Sequence, residues 1–168
     1  AFDAKRFEAA WERYVAAIEK SNSAFRSYLG GGGASEADIR AAEAATDAKF
    51  SAGLRYLLSR VVGSNSYFAL PCRRGMTVAQ WPDQGSEWWR LGWIPFCRDG
   101  GGNHLCVDLD LVDGGAAGQV TGAWHDMAGR DLISTSLTDF IEIIATDAAA
   151  GSLVWDEEMG GVYEAQET

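Results

Sequence analysis

Trp93-Ile94-Pro95-Phe96-Cys97-Arg98-Asp99-Gly100-Gly101-Gly102-Asn103-His104-Leu105-Cys106-Val107-Asp108-Leu109-Asp110-Leu111 contains two extended pieces joined by a glycine-rich turn, and its reading decides the fold. In the second piece Leu105, Val107, Leu109 and Leu111 alternate with His104, Cys106, Asp108 and Asp110. A period of two sends successive side chains to opposite faces of a strand. The apolar set predicts a core face, and the other set predicts a solvated face carrying both acids. The first piece, Leu91 to Cys97 around Pro95, predicts a shorter strand. Between them, Gly100, Gly101 and Gly102 permit positive φ and close backbone passage, and Asn103 can cap the turn with its side chain. Asp99 is placed to accept from free amides of that loop. The run therefore reads as a tight loop feeding a core strand, which is a requirement of the fold and not by itself an active site.

Working outward, Asp113-Gly114-Gly115 to Gly118 predicts a turn, and Gln119 to Trp124 an antiparallel partner strand. Leu132-Ile133 predicts a short last strand. Leu137, Phe140, Ile141, Ile144 and Ala148 then lie on one face of a closing helix, with Ser136 or Thr138 placed to cap it. The tail beyond Gly151, with Leu153, Val154, Trp155 and Tyr163, is expected to pack back in part. On the N-terminal side, Phe7, Trp11, Val15 and Ile18 share a helical face, and Phe25, Tyr28 and Leu29 add a further turn. Gly30-Gly31-Gly32-Gly33 predicts a flexible joint, because each glycine inside a helix costs about 1 kcal/mol relative to Ala. A phosphate loop is disfavoured there, since no Lys-Ser/Thr follows and no strand precedes. Ser35 predicts a helix cap with Glu36 and Asp38 behind it, for a helix carrying Ile39, Ala42 and Ala45. The apolar period resumes at Leu54, Leu57 and Leu58, with Gly53 marking the break. Tyr67 to Leu70 predicts a short strand ended by Pro71.

The resulting order is α+β: N-terminal helices, an antiparallel β-sheet meander, and a C-terminal helix packed on one face. We expect one domain over residues 1–168, divided into a helical segment (1–29), the glycine joint (30–34), a core (35–150) and a tail (151–168).

Fourteen Lys and Arg against 24 Asp and Glu give a formal charge of -10. Such a chain lacks the cations that displace counterions from nucleic acid or hold anionic lipid, so neither is an expected partner. It suits a basic protein partner, or the charge serves solubility alone. No apolar run approaches the roughly 20 residues that span a membrane, and Phe2 to Lys20 does not read as a secretory signal. Three cysteines without a CxxC pair predict reduced thiols and a cytoplasmic setting.

Asp108 and Asp110, with Asp99 and Asp126, offer carboxylates for acid–base work or a hard metal. The expectation is instead turn capping and a solvated strand face. His104, Cys106, Cys97 and His125 are zinc-ligand types, but the short paired spacings of zinc sites are missing. No nucleophile elbow or HExxH motif occurs. The chain is therefore expected to be neither an enzyme nor a holder of metal or cofactor. Trp11, Trp93 and Trp124 sit in regular elements and predict core positions. Trp81, Asp83, Glu87, Trp88 and Trp89 lie in the irregular stretch from Pro71 to Gly92. Aromatic anchors beside acids suit a protein-binding surface, and a loop tucked over the sheet is the competing reading.

The signature Trp93, Pro95-Phe96, Asp99-Gly100-Gly101-Gly102-Asn103 and Asp108-Leu109-Asp110 resembles the SUKH superfamily, which includes many bacterial immunity proteins and the yeast cell-wall-assembly regulator. The resemblance continues through Gly118-Gln119-Val120 and Trp124-His125-Asp126 to a helix approached by Ser134 to Phe140. It covers residues 93–145 well and 35–58 more loosely. Phe50-Ser51, Val62-Gly63 and Leu111 stand where the family often has Leu-Pro, Asn-Gly and Pro. The resemblance implies a protein that binds and neutralises a cognate toxin or effector by occluding it. The residues expected to touch it are Trp81, Asp83, Glu87, Trp88 and Trp89 with Asp108 and Asp110. The alternative it implies is a non-catalytic scaffold module that binds host proteins.

Overall fold

A computed structural model describes residues 1–29, 33–61, 74–75, 92–98, 104–110, 117–123 and 130–166. Helix α1 (Ala4–Glu19) starts where the Asp3 carboxylate accepts the N–H groups of Lys5 and Arg6 at 3.0 and 3.1 Å. That satisfies two of the donors a helix start leaves orphaned. Phe7, Trp11, Tyr14, Val15 and Ile18 form its buried stripe. Tyr14 was not legible as core from its hydroxyl, yet it is fully buried, and burial pushes its hydroxyl well above the usual tyrosine range.

One turn, α2 (Phe25–Tyr28), leads to α3 (Glu36–Thr46) and α4 (Ala52–Val61). Ser35 caps α3 in a reciprocal box: its hydroxyl accepts the Asp38 N–H at 3.1 Å, and Asp38 accepts the Ser35 N–H at 3.1 Å. The break between α3 and α4 falls at residues 47–51 and not at Gly53, which is helical. Asp47 takes the left-handed conformation (φ 49) that ends α3. Thr46, not the exposed Ala45, completes the buried face behind Ile39 and Ala42. Its hydroxyl is satisfied by donating to the Ala42 carbonyl at 2.8 Å.

The end of the glycine run is fixed in place. Gly33 and Ala34 donate their N–H groups to the Ser59 and Leu58 carbonyls at 3.2 and 2.9 Å, which closes off the C-terminal end of α4. A Cβ on Gly33 would stand 2.2 Å from the Ser59 carbonyl carbon, so only glycine fits that passage.

The strands are β1 (Arg74–Gly75), β2 (Trp93–Arg98), β3 (His104–Asp108), β4 (Gln119–Ala123) and β5 (Arg130–Ser134). They form one antiparallel sheet in the order β1-β2-β3-β4-β5. Pro95 lies at a register shift between Pro95 and Cys97, the kind of place where a strand tolerates a residue without an N–H. Helix α5 (Leu137–Ala149) follows, with Ser136 accepting the Asp139 N–H at 3.1 Å.

The tail forms a hairpin of β6 (Leu153–Asp156) and β7 (Gly161–Glu164), so Leu132-Ile133 is not the last strand. Its Leu153 and Val162 join the core. Trp155 packs its ring 5.9 Å from Phe25 and 5.1 Å from Tyr28. The Tyr67 to Leu70 strand lies outside the described residues.

The core sits between the helices and one sheet face. α1 packs along α5, and both join α4. Ile94, Phe96, Val107 and Val120 of the sheet merge with Phe140, Ile141 and Ile144 of α5 in one buried cluster, where the Phe96 and Phe140 rings lie 5.6 Å apart. Each such side chain stabilises the fold by about 1.5–3 kcal/mol when fully buried. The architecture is α+β, with the C-terminal helix on one face of an antiparallel sheet.

Candidate partner-binding surface

Strand pairing sets the rows on the sheet face turned away from the helices. Trp93 pairs with Asp108 and Asp108 with Gln119; Cys106 pairs with Thr121 and His104 with Ala123. Residues directly opposite share a face. Trp93, Cys106 and Ala123 form a second small cluster of buried residues there.

This face corrects the placement of Asp108. Asp108 is 0% exposed and cannot be met by a partner in this conformation. One carboxylate oxygen accepts the Asp110 N–H at 2.9 Å, and the other accepts from Gln119 Nε2 at 3.2 Å. It ties the end of β3 to the start of β4. Alternation identified its face but carried no information on whether that face is covered. Asp110 is half-buried and stays within reach. Its backbone passes close to Gly92, where a Cβ would stand 2.6 Å from Asp110 Cβ; the Leu109 N–H donates to the Gly92 carbonyl at 2.8 Å.

Of the signature residues, Trp93, Pro95, Phe96 and Asp108 are buried. Cys106 is buried too, and burial followed by the Asp108 charge pushes its thiol well above the usual range. A thiol held protonated is a poor nucleophile and a poor metal ligand. Among the described residues, no three His, Cys, Asp or Glu side chains gather as a metal site. Trp81, Asp83, Glu87, Trp88 and Trp89 lie outside the described residues, as do Asp99, Gly100, Gly101, Gly102, Asn103, Leu111, Trp124, His125 and Asp126.

The outer side of α5 offers a surface that sequence reading passed over. Ile143 is 49% exposed and shares a shallow groove with Asp139, Glu142, Thr146 and Asp147. Arg6 of α1 reaches the near end of this groove. Its Nε donates to Glu142 at 2.6 Å, and its Nη2 donates to Asp139 and to Glu142, each at 2.8 Å. The Arg6 bond holds Glu142 below its ordinary carboxylate range. Asp139 is held low first by the Thr135 hydroxyl and then by Arg6. A solvent-facing isoleucine with an acidic rim suits contact with a protein surface better than bond-making chemistry. The signal was present in the sequence, because Ile143 and Ile144 are adjacent and only Ile144 falls in phase with Leu137, Phe140 and Ile141. Further exposed apolar groups are Leu132 and Ile133 on β5, and Met159 between β6 and β7. No helix among the described residues is long and apolar enough to cross a membrane.

The pattern of the SMI1 / KNR4 family (SUKH-1) matches residues 33–143, well over half of the chain. Among curated proteins, the chain is 34% identical over 67 residues to the cell wall biosynthesis/cell cycle regulator smi1 of Schizosaccharomyces pombe, covering 40% of this chain and 13% of that protein. It is 35% identical over 66 residues to a glucan synthesis regulatory protein of Neurospora crassa, covering 39% of this chain and 12% of that one. The chain thus spans only a small fraction of the length of these relatives. α1 precedes the family match, yet it supplies a full face of the core.

Proposed function

Because this chain belongs to the SMI1 / KNR4 family (SUKH-1), we propose that it acts in the cytoplasm as an immunity protein, binding a cognate toxin or effector and neutralising it by occlusion. Membership of a family whose proteins work by binding other proteins carries this reading. The charge of -10 supports a basic partner such as a nuclease-type toxin, whose substrate cleft is itself made for an anion. The contacts we propose are Trp81, Asp83, Glu87, Trp88, Trp89 and Asp110, joined by Ile143 and Asp147 on α5. Asp108 leaves the contact set and becomes the residue that fixes β3 to β4. No bond is made or broken by this chain in such a mechanism.

The test is co-expression with a toxin candidate encoded beside it, scored by colony survival and by the dissociation constant of the purified pair. Survival should require this chain. Trp88→Ala, which removes an aromatic anchor from the interface, should weaken binding by about thirtyfold or more, the effect of losing a hot-spot side chain. Ile143→Asp should weaken binding without lowering thermal stability. If Trp88→Ala, Trp89→Ala and Ile143→Asp all bind and protect like the parent, the contact set is wrong. If no neighbouring gene product is toxic, the immunity reading fails.

A second reading is a regulatory scaffold module binding host proteins. The names of the two curated fungal relatives, both regulators, favour it. Under that reading the chain would hold several resident proteins of its own cell and protect against none.

A further inference from the structure

On one side the sheet ends at β5 (Arg130–Ser134), which pairs with β4 alone among the described residues. Its register along β4 slips between Val120 and Thr121, so Ser134 and Leu132 have partners there and Ile133 has none. A residue inserted in this way is left out of the ladder. Asp131, Leu132 and Ile133 are exposed in succession, Leu132 at 59% and Ile133 at 38%. Successive side chains of a strand point to opposite faces, so the strand is open on both. Folded proteins blunt their edge strands with Lys, Pro or a bulge. Here only the bulge is present, and the residue it leaves unpaired is an isoleucine beside a leucine.

The two faces of this edge differ in chemistry. Leu132 lies opposite Thr121, and Thr121 opposite Cys106, on the face turned away from the helices. Asp131 lies opposite Gly122, and Gly122 opposite Leu105, on the helix side. Directly after the strand, the Thr135 hydroxyl donates to Asp139 at 2.6 Å, and Glu142 follows on α5. Arg6 bridges Asp139 and Glu142, and Arg13 acts on Glu142 from further away. With Asp131 included, three carboxylates on the helix side stand against two cations. A second copy of the chain is a poor occupant for such an edge. Two-fold antiparallel pairing about Leu132 would set Asp131 diagonal to Asp131 of the second copy and join two chains of charge -10, and like charges across a ladder repel.

We propose that β5 accepts an added strand from a basic protein partner. The incoming segment is extended and alternates in chemistry: its apolar side chains pack on Leu132, and its Lys or Arg side chains meet the carboxylates on the helix side. In strand addition the main-chain hydrogen bonds supply affinity, and alternate side chains select the segment. Docking of this kind rests on the reading that the chain works by binding another protein, and it adds the element that is engaged and the pattern of the segment that engages it.

The test is titration of the isotope-labelled 168-residue chain with a short peptide alternating Lys and Val, at constant ionic strength. The controls are the same peptide with Glu in place of Lys, and the Lys peptide with an N-methylated backbone that cannot join a ladder. Saturable shifts and slowed hydrogen exchange at the amides of residues 131–134 are expected with the unmodified Lys peptide alone. Leu132→Lys should keep the fold and weaken binding about fivefold, the upper worth of a cross-strand pair, while Leu132→Val should bind like the parent. Equal binding of either control peptide, shifts away from β5, or shifts that fail to saturate would overturn the proposal. So would a doubling of mass in sedimentation that Leu132→Lys abolishes, which would assign the edge to a second copy. No toxin enters this assay, so a chain that binds the Lys peptide but protects no cell would sink the immunity reading and leave strand addition standing.

Discussion

Replacing Asp108 separates an internal tie from a contact residue. Asp108→Ala removes the acceptor for two donors, Gln119 Nε2 and the Asp110 N–H. Gln119 is 8% exposed, so its amide is stranded at close to full desolvation cost. The Asp110 N–H belongs to a half-buried residue and regains water more easily. Together these losses come to about 2–4 kcal/mol. At roughly 2–4 °C per kcal/mol for a chain of this size, Tm should fall by about 5–15 °C.

Asp108→Asn provides the internal control. The introduced carboxamide would keep an oxygen for the Asp110 N–H, and its NH2 could donate to Gln119 once that side chain turns its own oxygen inward. The expected loss is then only about 1 kcal/mol, close to the net worth of one ordinary hydrogen bond. Urea unfolding of both variants, followed by tryptophan fluorescence and far-UV circular dichroism, measures the difference. The reasoning is refuted if Asp108→Ala unfolds within about 0.5 kcal/mol of the parent, the range of ordinary surface changes, while partner binding is lost. That outcome would put Asp108 on a surface that opens to a partner.

Gly33→Ala should destabilise by about 1–3 kcal/mol, the usual cost of overpacking, because its Cβ meets the α4 backbone at 2.2 Å. Gly118→Ala makes the comparison: Gly118 has φ 91 but no clash, since a Cβ there would meet only Ser51 at an ordinary 3.8 Å, so the loss there should be the left-handed strain alone, about 1–2 kcal/mol. Equal melting of Gly33→Ala and parent would mean that Gly33 does not pass against α4. Arg6→Ala should flatten the acid limb of stability. Glu142 and Asp139 have folded-state values below their ordinary ones, so their contribution is present above about pH 4 and is lost as pH falls through the depressed values. Removing Arg6 takes away most of the Glu142 part and less of the Asp139 part, since Thr135 still holds Asp139. Tm measured from pH 6 down to pH 2.5, about the span over which depressed carboxylates titrate, should show the two curves converging in acid. Parallel curves would show that the Arg6 bridge is too well solvated to matter.

What could be read in the sequence was what internal periodicity controls. Phe7, Trp11, Val15 and Ile18 had to share a face because a helix repeats every 3.6 residues, and all are buried. The same holds for Leu137, Phe140, Ile141, Ile144 and Ala148. Ser35 was legible as a cap because a hydroxyl before two acids satisfies orphan donors at little cost. Thr46 and Tyr14 escaped because apolar counting skips polar atoms, even when the fold gives the Thr46 hydroxyl a backbone carbonyl. The β6–β7 hairpin escaped because each of its strands is only four residues long, too short for alternation to stand out. Gly33 was legible as non-helical, but a run of four glycines looks the same whether the chain is loose or threaded against a helix end.

The outer sheet face sets the limit of such reading. A strand's alternation divides its side chains into two sets, and a core on one side is then inferred from apolarity. Whether the other set meets water depends on what the rest of the chain lays over it, which no local period encodes. Asp108 was read as a contact because it is an acid in the polar set, yet it is 0% exposed, in a row with its cross-strand partners Trp93 and Gln119. Ile143 is the reverse case, an apolar residue out of phase with its helix. A lone exposed isoleucine is ordinary on a folded surface, so Ile143 enters the proposed contact set only through its place beside Asp139, Glu142 and Asp147, and Ile143→Asp is the substitution that decides it.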